Sequence, residues 1–325
     1  MIAITGASGL VGGNLVRALL AQQRPLRALV HHDRRALQGL PLDIVTADLN
    51  DPDSLTSAFQ GVDVVYHLAS TISIGLNNWQ DIQRVNVEGT RNVIAACRKC
   101  HVRRLVYFSS IHAYQQAPFD QALDESRPLL TDQDAAPYER SKAAAERLVR
   151  QAVSQGLDAV TLIPTAIIGP NDFRPSYLGQ ALQLLARGHI PALVRGGYDW
   201  VDVRDVVQGA IAAEQHAQPG SRYILSGQWR SLMDFARLTA RLCGRHAPLV
   251  AVPVWLADLV QPLMAKLARI NGAQPLYTRP MLAAMRSNRH ISHARAAAEL
   301  DYKPRPFEET LRDTLDWFEE QARRA

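Results

Sequence analysis

Ile2-Ala3-Ile4-Thr5-Gly6-Ala7-Ser8-Gly9-Leu10-Val11-Gly12-Gly13 is the stretch that decides the fold. Four apolar or β-branched residues lead straight into a glycine-rich turn, and the turn leads into the helical pattern Leu10 to Ala21. Glycine permits positive φ and leaves backbone bare, and the N-terminus of the following helix offers free N–H groups with a partial positive charge. That combination suits the pyrophosphate of a dinucleotide. The glycines stand at 6, 9 and 12, a G-x-x-G-x-x-G spacing rather than G-x-G-x-x-G. Gly6, Ser8, Gly9, Leu10, Val11 and Gly12 are the expected contacts.

Outward from this turn, short apolar runs alternate with longer amphipathic ones. Strands are expected at Ile2 to Thr5, Leu26 to Val30, Asp43 to Thr46, Val64 to Leu68, Arg104 to Ser109 and Ala159 to Ile163. Helices are expected at Leu10 to Ala21, Ser54 to Phe59, Ile82 to Lys99 and Pro137 to Gln155. Alternation of this kind is the signature of a doubly wound α/β fold, a parallel sheet covered by helices on both faces. Beyond Pro170 the rhythm loosens. Tyr177 to Arg187 and Leu232 to Leu242 read as helices, Trp200 to Val203 and Tyr223 to Leu225 as strands, and Val252 to Met285 as proline-punctuated helices. The expected division is a nucleotide-binding domain over 1–168, to which 200–226 return, a smaller, mainly helical substrate lobe over 169–199 and 227–305, and a C-terminal helix over 306–325. In that last helix Leu311, Leu315 and Phe318 form a packing stripe.

Composition narrows the function classes. The 325 residues, 47% of them hydrophobic, suffice for one large core or a main domain with a companion. The net charge of +5 is small and the basic residues are scattered, so no stripe for nucleic acid exists. Three cysteines argue for a reducing compartment; Cys97 and Cys100 form a C-x-x-C inside a helical pattern, lack a second pair, and read as ordinary helix residues with no metal. The N-terminus enters a strand at once, which gives a cytoplasmic reading. The most apolar stretch, Leu249 to Ile270, is broken by Pro253, Asp258, Pro262, Lys266 and Arg269, so no integral membrane segment is expected.

The end of the second strand sorts NAD from NADP, because an acid there accepts from the ribose 2′-OH and repels a 2′-phosphate. Val30 is followed by His31-His32-Asp33-Arg34-Arg35. The first position holds no carboxylate, and Arg34 and Arg35 lie close by with the geometry that suits phosphate, so the reading leans to NADP with His31 and Arg34 as expected contacts, unless the two arginines merely begin a solvated helix. NAD stays open, with Asp33 on the ribose. Asp48 and Leu49, after the third strand, are placed to meet the adenine edge, or else form an ordinary turn before Asn50-Asp51-Pro52.

Tyr138 and Lys142 stand four residues apart on one helical face, about 6 Å apart at Cβ. A phenol near an ammonium, with a cationic oxidised nicotinamide beside it, is expected to titrate lower than usual, which equips it for acid or base work. Ser110, at the carboxyl edge of the strand Arg104 to Ser109, can orient a substrate oxygen, with Ser109 turned into the sheet. Asn86 either links a helix to Lys142 or serves as a structural amide. His112 is expected on the solvent side of its loop.

These residues together resemble the extended short-chain dehydrogenase/reductases, the NAD(P)-dependent epimerase/dehydratase family, over nearly the full length. Thr5 to Gly12 resembles the family's T-G-x-x-G-x-x-G, His67-Leu68-Ala69 its H-x-A, Tyr138 to Lys142 its Y-x-x-x-K, and Trp200 to Val206 the segment joining its two lobes. The resemblance implies a Rossmann domain, a triad of Ser110, Tyr138 and Lys142, further cofactor contacts at Leu68, Ala69, Ser70, Asn86, Pro164 and Ile167, and a homodimer. Gly196 to Val206 and Ser221 to Gly227 are closest to the dihydroflavonol-reductase-like branch. The expected activity is hydride transfer between NADP(H) and an apolar or aromatic ketone, aldehyde or secondary alcohol. A nucleotide-sugar epimerase with retained NAD is the alternative enzyme, and a non-catalytic dinucleotide sensor or scaffold the alternative of another class. Trp255, Leu256, Leu259, Val260, Leu263 and Met264 would line the substrate or merely pack.

Overall fold

The computed structural model describes residues 1–72, 79–131, 135–190, 192–248, 250–257, 259, 285 and 287–324. Seven parallel strands form the main sheet in the order β10-β6-β5-β4-β1-β2-β3. They are β1 (Ile2–Thr5), β2 (Leu26–Val30), β3 (Asp43–Thr46), β4 (Val64–His67), β5 (Arg104–Phe108), β6 (Ala159–Pro164) and β10 (Arg222–Leu225). Strand order reverses between β1 and β4, so their carboxyl ends diverge there and open a crevice for ligand.

Alternation of side chains across the sheet explains why the strands read as continuous apolar runs. Ile2, Ile4, Val64, Tyr66, Val106 and Phe108 pack on one face, against α1 (Leu10–Ala21) and α7 (Val203–His216). Ala3, Val65, Leu105 and Tyr107 pack on the other, against α2 (Pro52–Ala58), α4 (Gly89–Lys99) and α5 (Pro137–Ser154). Both faces are dry, as a parallel sheet requires. Cys97 is one of the buried residues of this second face, and the three cysteines are free.

Two expectations are corrected. The stretch Ile82 to Lys99 is not one regular helix: a short α3 (Trp79–Ile82) passes through a π-helical turn, Gln83–Glu88, before α4. The widened turn turns Asn86 inward, where it is 2% exposed. The two later strands also part company. β10 joins the main sheet, pairing Leu225 with Pro164, whereas β9 (Gly197–Asp202) pairs with β7 (Ala166–Ile168) and β11 (Gln228–Ser231) in a separate three-stranded sheet. The reason is packing: Trp200 stacks on Phe235 of α8 (Leu232–Leu242) at 4.6 Å and lies against Phe307 of the C-terminal helix, within a core of its own.

That second core also takes Leu182 and Leu185 of α6 (Tyr177–Ala186) and β8 (Ala192–Val194), which pairs in parallel with β12 (Val250–Val252). Helix α9 (Ala294–Leu300) returns to the main core through Ala296 and Leu300, and α10 (Phe307–Arg324) buries Leu311 and Leu315. Most of the proline-punctuated segment, including Val260, Leu263 and Met264, lies outside the described residues. Of the expected wall, Trp255 is 65% and Leu259 73% exposed. Among the described residues no helix is long and apolar enough to cross a membrane.

Candidate functional site

Gly6 sits at φ +71°, and a Cβ there would stand 2.7 Å from the backbone nitrogen of Ala69. A Cβ on Gly12 would meet the Gly6 carbonyl oxygen at 2.2 Å. Both positions therefore demand glycine, and the β1 turn, the start of α1 and the end of β4 are drawn into one tight group. Gly9 is the N-cap of α1 at φ −78° and brings no side-chain acceptor, so the first N–H groups of the helix keep their capacity for an anion. A bare cradle of this kind fits the pyrophosphate of a dinucleotide. Gly6, Gly9 and Gly12 close on one another and on Leu68 and Ala69, Ser8 lies in the turn, Leu10 and Val11 begin α1, and Ser70 follows Ala69.

At the far end of the crevice, Arg35 forms a bidentate pair with Asp33, its nitrogens 2.6–3.2 Å from the carboxylate oxygens. The guanidinium holds the Asp33 carboxyl down at about 2. Asp33 is thus neutralised within its own loop. Arg34 reaches across to donate to Thr46 Oγ1 at 3.1 Å, and His31 lies exposed 4.0 Å from Asp48. Asp48 accepts from the backbone and side-chain nitrogens of Asn50, which hold its carboxyl below the usual range; Leu49 packs over Gly89.

The chemical end is built on β5, α5 and the π-helical turn. Lys142 is 5% exposed and donates from Nζ to the Phe108 carbonyl at 2.9 Å, directly beneath the Ser109-Ser110 step. Burial pulls its ammonium down to about 8, against the opposing pull of Glu146. Tyr138 lies half-buried at the start of α5 with its phenol beside the Ser110 hydroxyl. Its expected acidification is corrected: burial raises it to about 12, Ser110 opposes, and Glu139 adds to the rise. Desolvation of the phenolate prevails. Asn86 joins the parts, accepting from Thr71 N at 2.7 Å and donating to Thr71 O at 3.0 Å and to Ser141 Oγ at 2.9 Å. Its bond is to the neighbour of Lys142, not to Lys142. Pro164 closes β6 beside this edge, and Ile167 follows on β7.

His112 also departs from expectation. It is drawn inward, with its ring 3.7 Å from Glu139, and burial lowers it to about 4. Glu146 and Ser141 escaped the sequence reading, and His67 entered it only as part of a motif. Glu146 is fully buried one turn beyond Lys142; Ser141 relays Asn86 to the Tyr138 carbonyl. His67 spans Thr5 at 2.8 Å and Thr90 at 3.0 Å. A charged residue on the inward stripe Lys142, Ala145, Glu146, Val149 was the available signal for the first.

His67 carries a stability prediction. Burial lowers it from 6.5 to about 3, so on acidification the unfolded chain takes the proton first and folded stability falls as pH drops through that window. Between pH 7 and 5 this costs about 2 kcal/mol, from the shift at 1.36 kcal/mol per unit. Urea unfolding of His67→Gln should show a correspondingly smaller loss over the same interval; an identical loss would assign the acid sensitivity elsewhere.

A glycine-cradled parallel sheet with a serine, tyrosine and lysine gathered at its carboxyl edge is the form of an extended short-chain dehydrogenase/reductase. The model of the NAD dependent epimerase/dehydratase family matches residues 2–225, and the chain belongs to that family. It is an NAD(P)-dependent oxidoreductase of the extended short-chain type, with dihydroflavonol-reductase-like relatives. Sterol demethylase protein B of Methylococcus capsulatus is 33% identical over 98% of both chains. A Synechocystis protein provisionally named dihydroflavonol 4-reductase is 33% identical over 97% of this chain and 94% of its own length. The crystal structure of gox2253 superposes with a TM-score of 0.87 at 32% identity, covering 99% of each chain.

Proposed function

We propose that the protein reduces an apolar or aromatic ketone or aldehyde with NADPH, Tyr138 giving the proton, Ser110 orienting the carbonyl oxygen and Lys142 holding the nicotinamide ribose. The observation that carries this reading is the Ser110–Tyr138 hydroxyl pair above Lys142, at the carboxyl edge next to the glycine cradle. The bound dinucleotide supplies the hydride. Everything else is done by the chain: Gly6 to Gly12 take the pyrophosphate, Leu68, Ala69, Pro164 and Ile167 flank the nicotinamide side, and Asp48 and Leu49 flank the adenine. A phenol raised to about 12 is protonated at neutral pH, which is the form that a reduction consumes. Similarity to a sterol demethylase component and a dihydroflavonol-reductase-named protein supports an apolar, ring-bearing substrate.

Assays of NADPH and NADH oxidation over aryl ketones, aldehydes, steroids and nucleotide sugars test the reading. Net NADPH consumption with an apolar carbonyl supports it. Isomerisation of a nucleotide sugar without net consumption overturns it.

The NADP preference rests on Arg34, with Asp33 already neutralised by Arg35. Arg34→Ala should raise KM for NADPH roughly ten- to hundred-fold, the worth of a charged hydrogen bond, and barely alter KM for NADH. Equal effects on both cofactors would remove the 2′-phosphate from Arg34. Reduction also requires the Lys142 cation, so kcat should fall as pH rises through about 8, well before Tyr138 ionises. A rate flat to pH 10 would deny Lys142 its charge. A cytoplasmic homodimer completes the reading; sedimentation of the purified chain checks the dimer.

A further inference from the structure

The buried carboxylate of Glu146 lies outside the triad, and its partners converge on it from three directions. It is 0% exposed and stands one turn beyond Lys142 and two beyond Tyr138, on the same face of α5. Ser109 Oγ donates to it at 2.5 Å, Tyr114 OH at 2.5 Å, and Arg150 at 2.6 and 3.0 Å. Ser109 and Tyr114 bracket Ser110. Between them the Ser110 hydroxyl caps a single 3₁₀ turn, Ile111–Ala113, accepting from His112 N at 3.3 Å. One carboxylate therefore pins both ends of the short segment that carries the proposed orienting hydroxyl. Lys142 grips the same segment one residue earlier, at the Phe108 carbonyl.

We infer that Glu146 is a positioning residue for the reduction proposed above: it fixes the Ser109–Tyr114 segment so that Ser110 faces Tyr138, and it keeps Lys142 cationic in a dry site. The burden on it is electrostatic as well as geometric. Burial disfavours the charged form of Lys142, and Glu146, one helical turn away on the same face, is the group that opposes this. Facing the carboxylate are Lys142 and Arg150 on α5, Tyr107 on β5, and Ser109 and Tyr114 just beyond it; Arg222 on β10 acts on Tyr114 from the far side. Arg150 is held by Glu146 and Tyr114 together, so the cation nearest the carboxylate is itself fixed. A carboxylate whose only task was to bind Arg150 at the surface would have no need of Ser109.

This inference rests on the reductase reading, and the test separates the two. Lys142 is one of only four lysines, so its side-chain NMR signal in lysine-labelled protein is assignable by substitution and its titration can be followed directly. In Glu146→Gln, Lys142 should titrate about one unit lower than in the unaltered protein. The kcat for NADPH oxidation with the most active ketone of the panel should fall at least tenfold, its alkaline limb moving to lower pH. Tyr114→Phe and Ser109→Ala each remove one donor and no charge; they should lower kcat and leave the Lys142 titration in place. An unmoved Lys142 titration in Glu146→Gln overturns the electrostatic role, and unaltered kcat in both Tyr114→Phe and Ser109→Ala overturns the positioning role. If Glu146→Gln does not fold, those two variants decide the positioning role. If the unaltered protein reduces no carbonyl, the reductase reading falls, and the titration alone judges Glu146.

Discussion

Tyr138→Phe is expected to lower kcat for carbonyl reduction by roughly 10²- to 10⁴-fold, the usual worth of a positioned general acid. The change removes one oxygen whose partner is the Ser110 hydroxyl, at the half-buried start of α5, so the core on either face of the sheet is untouched. Thermal stability and dinucleotide affinity should therefore stay close to those of the unaltered chain. Ser110→Ala is expected to act on the same step through the carbonyl oxygen. Because the two hydroxyls lie side by side and serve one atom, the double variant should lose little beyond the worse single one. Additive losses would mean that Ser110 and Tyr138 act separately, and a loss of less than a few-fold in Tyr138→Phe would remove the phenol from the chemistry.

Gly12→Ala carries the second large effect, on the opposite end of the site. The added methyl would lie 2.2 Å from the Gly6 carbonyl oxygen and 2.8 Å from Ala7 Cα, both rigid backbone. No rotamer relieves that, so β1 and α1 must part. Overpacking of this type costs about 1–3 kcal/mol or more. The same displacement dismantles the cradle, so dinucleotide binding should be lost with it. Gly9→Ala is the contrasting case: its Cβ would stand 3.4 Å from the same oxygen, in ordinary contact, at an ordinary φ of −78°. It should fold with unaltered stability. Fluorescence titration with NADPH and thermal unfolding of both variants check this, and tight binding by Gly12→Ala would contradict the cradle as described.

The contrast between these two glycines shows what a sequence can display. Spacing at 6, 9 and 12 marks a turn, but which glycine is sterically obligatory depends on how closely the start of α1 folds back on Gly6 and Ala7, and on Gly6 meeting Ala69 across two strands. The main sheet was legible because each of its strands is apolar on both faces and is followed by an amphipathic helix. Trp200 to Val203 reads as another such strand, yet its aromatic ring prefers Phe235 and Phe307, a long-range stack that no local pattern reveals. The π-helical turn at Gln83–Glu88 is hidden in the same way, since one widened turn leaves the apolar periodicity nearly intact.

The proposed triad was legible from Y-x-x-x-K and the serine at a strand end, because those residue types are rare at the edge of a buried sheet. Their charge states were not. The phenol of Tyr138 goes up rather than down because tertiary packing desolvates it, which four-residue spacing does not display. Glu146 was passed over for a related reason. A glutamate in a helix ordinarily faces water, and its burial follows only from Ser109, Tyr114 and Arg150 arriving from elsewhere.

The central claim is transfer of a hydride from NADPH to a carbonyl carbon, and deuterium measures it directly. With NADPH deuterated at C4 of the dihydronicotinamide and the best ketone of the panel, mass spectrometry should find one deuterium on the carbinol carbon of the product. The label should appear in proportion to cofactor oxidised, and its rate of appearance should fall in Tyr138→Phe by the same factor as kcat. Unlabelled product, or an isomerised substrate with the label still on the cofactor, would contradict the account.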